Sequence, residues 1–256
     1  VVAKKGLKDE KVGVKVVSTE GYTMECVDYN SYTDITVRFE DGHEVKSTWH
    51  NFTKGSIKNV YHKSVYGVGY IGEGDYSSKG YRTPKFPMYR SWISMMRRCY
   101  SDTDNPRDRA YKQCSVNSIW HNFQNFCLWY EYNYYEIEGE TMCLDKDILV
   151  KGNKTYAPKT AVFVPESINK LFLTRKDKRG HLPIGVYERP NGKFGAYLSK
   201  GDKRVHLGYF GIPHEAFLAY KEAKEQHIKE VAEKYKHHIP IKLYDALLRY
   251  EVEMDD

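Results

Sequence analysis

The sequence predicts an α+β fold assembled from small modules, and three observations carry that expectation. Strand-type alternation punctuated by turn signals fills residues 1–60 and recurs at 182–210. Helical periodicity appears over 86–100 and 119–131. Positive charge is concentrated: residues 175–210 hold nine Lys or Arg against three acids (Asp177, Glu188, Asp202), an excess of +6 that equals the formal net charge of all 256 residues. A chain of this length has room for two or three compact units.

The bulk composition narrows the class. Apolar content of 41% and charged content of 29% suit a folded, water-facing protein. The 23 tyrosines suit a core edge, a partner surface or a nucleic-acid groove equally well. Five cysteines (Cys26, Cys99, Cys114, Cys127, Cys143) contain no Cys-x-x-Cys pair, and an odd count argues against a disulfide framework. No apolar run approaches the roughly 18 residues of a membrane span, and the first residues lack a charged-then-apolar leader pattern. The expectation is a soluble, cytoplasmic chain with reduced thiols and no membrane partner.

Residues 1–60 read as four short strands. Val12–Val17 and Tyr22–Tyr29 are rich in strand formers; Ile35, Val37 and Phe39 alternate with polar residues; and Val45, Ser47 and Trp49 resume the alternation after the Glu40-Asp41-Gly42 turn. Such strands predict a small β barrel. Its loop residues Lys46, His50, Lys54 and Lys58 read as solvated. Residues 61–85, with five glycines and no clear period, predict a linker or an extended arm.

Over 86–100, Tyr89, Trp92, Ile93, Met96 and Tyr100 share one helical face, with Arg97 and Arg98 off it. A second helix is expected over 119–131, capped by Ser118, with Ile119, Phe123, Phe126, Cys127 and Tyr130 as its apolar stripe. A strand near 142–148, a Gly152-Asn153 turn, a strand near 161–164 and a helix from Pro165 follow the order of a ββα hairpin; 86–174 is thus one domain. From 182 to 236, three strands (Ile184–Arg189, Phe194–Ser199, Arg204–Tyr209) precede a helix opened by Pro213. Residues 237–256 form a short helix and an acidic tail, for which fraying is the expectation and folding back on basic surface the alternative.

The last of these modules carries a family likeness. Gly185-Val186-Tyr187, Gly192-Lys193-Phe194-Gly195-Ala196-Tyr197, Leu207-Gly208-Tyr209-Phe210, Glu215-Ala216 and Ala219-Tyr220 together resemble the plant ethylene-response-factor (Apetala-two) DNA-binding domain, which also occurs in phage endonuclease-like proteins. The resemblance covers about 50 residues and implies a three-stranded sheet laid in the major groove of double-stranded DNA. Arg189, Lys193, Tyr197, Lys200 and Arg204 would then face the duplex. Alternation agrees in kind, because one face of a strand can be apolar toward a helix while the other is basic toward phosphate.

The middle of the chain resembles phage homing-endonuclease-like proteins, through Tyr89-Arg90-Ser91-Trp92, Met96-Arg97-Arg98-Cys99-Tyr100, Trp120-His121-Asn122-Phe123 and Leu144-Asp145-Lys146-Asp147-Ile148. In that group the hairpin is similar to the His-Asn-His (HNH) nuclease fold, in which a histidine deprotonates water and Asp, His or Asn hold Mg2+ or another divalent metal. The position corresponding to that histidine is Lys146. A lysine, with an ordinary pKa of about 10.4, is protonated at neutral pH and is no general base, and flanking carboxylates reinforce this. Asp145, Asp147 and Asn153 remain metal-ligand candidates. His121 is a substitute base by this reading, or a helix-surface or core residue by the plainer one. The expectation is a duplex-DNA-binding protein with a degenerate nuclease hairpin, Arg97 and Arg98 adding to the contact. The alternatives are a metal-dependent endonuclease and a phage protein that binds a host protein complex.

Overall fold

The structure, a computed structural model, describes residues 7–78, 87–103, 108–173, 180–201 and 203–256. Residues 79–86 of the expected arm, Arg175–Arg179 of the basic segment and Asp202 lie outside them. The chain is mixed α+β, and none of its small sheets closes into a barrel among the described residues. It divides into two compact units: Val1–Thr103 with Ser118–Leu128, and Asp104–Asn117 with Trp129–Asp256.

In the first unit a short helix α1 (Leu7–Lys11) precedes an antiparallel meander of β1 (Lys15–Val17), β2 (Thr23–Ser31), β3 (Asp34–Phe39) and β4 (Glu44–Ser47). Period-2 alternation turns Met24, Cys26, Tyr29, Ile35, Val37 and Phe39 to one face, and Trp49, Phe52 and Ile57 close over it. Trp49 and Phe52 come from helix α2 (Trp49–Thr53), whose first turn is capped by Thr48 through its side chain to the Asn51 N–H (3.2 Å). The other face carries exposed ion pairs, Arg38–Glu44 at 2.7 Å and Lys15–Glu25 at 3.6 Å. The barrel expectation is therefore corrected to an open sheet. β1 has three residues and β4 four, too little edge to meet and close, and α2 with its flanking residues covers the core instead.

The glycine-rich stretch is no loose linker over its described part. Val65 and Gly69 exchange backbone hydrogen bonds, and a Cβ on Gly69 would come within 2.9 Å of the Trp92 ring, so glycine lets the backbone lie on helix α3 (Pro87–Tyr100). Tyr70 donates to the His121 carbonyl (2.9 Å) and accepts from the Phe123 N–H (3.0 Å). The buried Gln124 amide donates to the carbonyls of Ile71 and Tyr76 and accepts from the Tyr76 N–H. This docking divides the helix expected at 119–131. A 3-10 helix, Ser118–His121, ends where Tyr70 inserts; α4 (Phe123–Asn133) then restarts with Asn122 as its cap (2.9 Å to Gln124 N–H). Ile119, expected in the apolar stripe, is left exposed.

The second unit contains two two-stranded ladders. β5 (Ser115–Val116) pairs in parallel with β7 (Thr155–Tyr156), and β6 (Met142–Asp145) pairs antiparallel with β8 (Val162–Pro165), which leads into helix α5 (Glu166–Asn169). Downstream, β9 (Val186–Glu188), β10 (Phe194–Lys200) and β11 (Lys203–Phe210) form an antiparallel sheet with β10 in the centre. One 23-residue helix, α6 (Pro213–Tyr235), serves both parts. Its first half packs Ala216, Phe217 and Tyr220 on Val186, Ala196 and Leu198. Its second half packs Ile228, Ala232 and Tyr235 with Val162, Val164 and Ile168, joined by Leu243 and Leu247 of helix α7 (Ile241–Leu248).

The acidic tail is docked rather than frayed. Val252 is buried in the sheet's core, its N–H donates to Glu225 (2.8 Å) and its carbonyl accepts from Lys221 (2.9 Å). Lys151 from the hairpin loop donates to the Glu251 carbonyl (2.8 Å) and pairs with Glu253 (3.2 Å) and Asp256 (2.8 Å). A single apolar residue with backbone partners on both sides anchors the segment that its charge marked as solvated.

Candidate nucleic-acid interface

Strand parity decides which side chains of the β9–β10–β11 sheet face away from α6. Val186, Phe194, Ala196 and Leu198 point to the helix. Their neighbours Tyr187, Gly195 and Tyr197 therefore point outward. In register with them lie Tyr209 opposite Gly195, His206 opposite Tyr197 and Arg204 opposite Ser199. A register shift between Ala196 and Tyr197 takes up Leu207 as the extra residue, which packs on the helix side and restores His206 to the outer face. Arg189 and Lys193 close the β9–β10 turn, the Arg189 N–H donating to the Lys193 carbonyl at 2.9 Å.

The outer face is thus basic and aromatic. The Arg189 guanidinium lies 4.1 Å from the Tyr209 ring centre and that of Arg204 4.8 Å from Tyr197. His206 packs on Tyr209 (4.3 Å between ring centres) and Tyr187 on Tyr197 (5.8 Å). Each exposed cation–ring pair contributes about 0.5–1 kcal/mol and, more usefully, limits where the guanidinium swings. Gly195 is what lets the Tyr187 ring pack on the sheet, since a Cβ there would come within 2.4 Å of its Cζ. Crowding also shows chemically: burial, then the neighbouring Tyr209, raises the Tyr187 phenol pKa. No carboxylate lies on this face among the described residues, and Arg189, Lys193 and Arg204 form no ion pair among them. Of the residues that make the surface, the tyrosines Tyr187 and Tyr209 and the hollow at Gly195 were not picked out by charge; strict alternation from Lys193 was the signal for them.

Lys200 is placed elsewhere. Its parity turns it to the α6 side, where it pairs with Glu230 at 3.0 Å, and that bond leads the causes holding the Glu230 carboxyl below its usual range. Arg97 and Arg98 belong to the first unit, on the last turn of α3, where cations suit the helix dipole; the Arg98 Nε donates to the Ser94 carbonyl at 3.3 Å. His121, in the same unit, sits with its ring edge-on to Tyr100 (6.2 Å).

The hairpin loop gathers Asp145, Lys146, Asp147 and Asn153, and commits each one. One Asp145 oxygen accepts the N–H groups of Asp147 (2.9 Å) and Ile148 (2.8 Å). Burial, then the Asp147 charge, raises the Asp145 pKa to about 6. Lys146 is buried between the Tyr111 and Tyr156 rings, its ammonium 5.6 and 5.8 Å from their centres, and donates to Asp147 at 2.9 Å. Burial pulls that ammonium's pKa down, but the bond and charge of Asp147, helped by Cys114 and Asp145, outweigh it and leave it above the ordinary value. A general base needs the opposite shift. Asn153 donates to the carbonyls of Lys146 and Thr155 (both 2.7 Å) and accepts from the Thr155 N–H (3.2 Å), a loop staple with no donor to spare. One oxygen of Asp145 and one of Asp147 are engaged, and an ammonium already supplies the local positive charge, which weighs against a divalent ion here. Among the described residues no group of three His, Cys, Asp or Glu is placed to hold a metal.

No protein-family model, curated protein or solved structure matches the chain. Among the described residues no helix is long and apolar enough to cross a membrane.

Proposed function

We propose that this protein binds double-stranded DNA through the outer face of the β9–β10–β11 sheet, with the hairpin acting as a structural support and not as a cutting site. The observation that carries this reading is the carboxylate-free face on which Arg189, Lys193 and Arg204 stand among Tyr187, Tyr197, His206 and Tyr209. Phosphates need cations that are not already neutralised, and the aromatic rings hold those cations in place. A sheet backed by one long helix is stiff enough to keep several contacts in register. The likeness to the Apetala-two domain and to phage homing-endonuclease-like proteins supports the same partner, and with it a role inside a bacterial host cell.

The buried, charged Lys146 weighs against hydrolysis by the hairpin, because the side chain at the base position holds its proton more firmly than a free lysine. The test is fluorescence anisotropy with a random-sequence duplex, with and without Mg2+. Lys193→Ala combined with Arg204→Ala is expected to weaken binding about tenfold at moderate salt, roughly the loss from two phosphate contacts. The same mixtures run on a gel are expected to show intact DNA. Wild-type affinity in the folded double variant would remove the sheet face from the proposal; metal-dependent product would return the hairpin to catalysis.

A further inference from the structure

A cleft of about 360 Å³ in the second unit belongs neither to the sheet face nor to the hairpin loop. It lies where the end of α4 and the residues after it meet the turn between α6 and α7. Tyr132, Asn133 and Tyr135 line one side and His237, His238 and Lys242 the other, with no carboxylate in the lining. By contrast, a cleft of about 590 Å³ in the first unit is lined by Asp41, Glu44 and Glu73, the wrong sign for an anion.

Three features converge on the carboxylate-free cleft. First, Lys242 is half-buried in its wall, and its ammonium has a carboxamide for company, donating to the Asn133 oxygen at 3.3 Å. Burial alone lowers its pKa, with no acid opposing the shift. A cation so placed gains from an anion that restores the solvation it has lost. Second, α7 opens at this wall with Pro240 as its N-cap and no side-chain hydrogen bond to its first turn. The first backbone N–H groups and the positive end of the helix dipole therefore lack a capping anion. Third, the mouth is aromatic: the Tyr132 ring stands 87% exposed beside the cleft, a flat surface of the kind on which a base stacks.

We propose that this cleft binds a nucleoside monophosphate unit, its phosphate on Lys242 and the start of α7 and its base against Tyr132. Such a unit has two sources, a free nucleotide or the 5′-phosphorylated end of a nucleic-acid strand. The size agrees, since small-ligand sites begin at about 300 Å³.

The test titrates the full chain with AMP, with adenosine, and with a short oligonucleotide bearing or lacking a 5′-phosphate, followed by calorimetry. AMP is expected to saturate, and adenosine to bind about tenfold or more weakly for want of the charge-assisted contact. Lys242→Gln and Tyr132→Ala are each expected to lower AMP affinity about tenfold, while Arg204→Ala on the sheet leaves it unchanged. The Arg204→Ala arm separates this site from the duplex-binding face, so either proposal can fail alone. Tighter binding of the 5′-phosphorylated strand than of both AMP and the strand lacking that phosphate assigns the strand end; equal binding of the two strands, with AMP saturating, assigns the free nucleotide. The proposal is overturned by absence of saturation up to about 1 mM AMP, by adenosine binding as well as AMP, by wild-type affinity in both cleft variants, or by loss of AMP binding in Arg204→Ala.

Discussion

Asp145 holds two backbone N–H groups on one oxygen, yet burial and the Asp147 charge raise its pKa to about 6. The unfolded carboxyl titrates near about 3.9. Between those values the folded chain binds a proton that the unfolded chain has released, so stability falls as pH rises through this window and levels off above it. The full penalty at neutral pH is of order 2–3 kcal/mol, and relaxation of the loop will reduce it. Asp145→Asn keeps the accepting oxygen and removes the charge. It is expected to match the parent below about pH 4 and to exceed it by about 1–2 kcal/mol at pH 8, read from urea unfolding at both pH values. A variant destabilised more at pH 8 than at pH 4 would mean that the charge stabilises the loop. At this scale the sequence was informative about Lys146, because a lysine between two aspartates should stay charged wherever it sits. It was silent about Asn153, whose work as a staple depends on carbonyls that only the folded loop brings within 2.7 Å.

Among the elements, the β10 strand shows how far period-2 reasoning reaches. Lys193 and Tyr197 share the outer face as alternation requires, whereas Lys200, grouped with them through the family likeness, has the opposite parity and pairs with Glu230. The expected helix at 119–131 failed for a reason no local pattern contains: the Tyr70 backbone bonds on both sides of Asn122 and divides it. Likewise four alternating strands do not reveal whether their edges meet, and β1 and β4 are too short to do so. The outer face offers its own check at Gly195, where a side chain would collide with the Tyr187 ring. Gly195→Ala is expected to displace that ring and destabilise the sheet by about 1–3 kcal/mol, the usual range for overpacking. Thermal unfolding gives the stability and aromatic NMR shifts give the ring. An unperturbed Tyr187 resonance would show that the ring is not seated across the glycine.

At the scale of the whole chain, the sequence suggested a string of separate modules, but α6 and the tail tie two of them within the second unit. One half of α6 belongs to the sheet's core and the other to the hairpin's, and Lys151 binds the tail that anchors Val252. Under the proposed function, a hairpin packed into the same body as the sheet contributes rigidity to that face rather than chemistry. On the proposed reading, the charge offered to DNA is then smaller than the basic segment's total. Arg189, Lys193 and Arg204 stand on the outer face, Lys200 is paired, and Arg175–Arg179 lie outside the described residues. Each neutralised phosphate contributes about −0.9 to the slope of log affinity against log salt on B-form DNA, so three contacts predict a slope of about −2.7. Lys193→Ala should bring it to about −1.8, and Lys200→Ala should leave it unchanged. Anisotropy titrations at several salt concentrations measure all three slopes. A slope much steeper than this would bring in the Arg175–Arg179 run, and a slope near zero would mean that the sheet meets no phosphate at all.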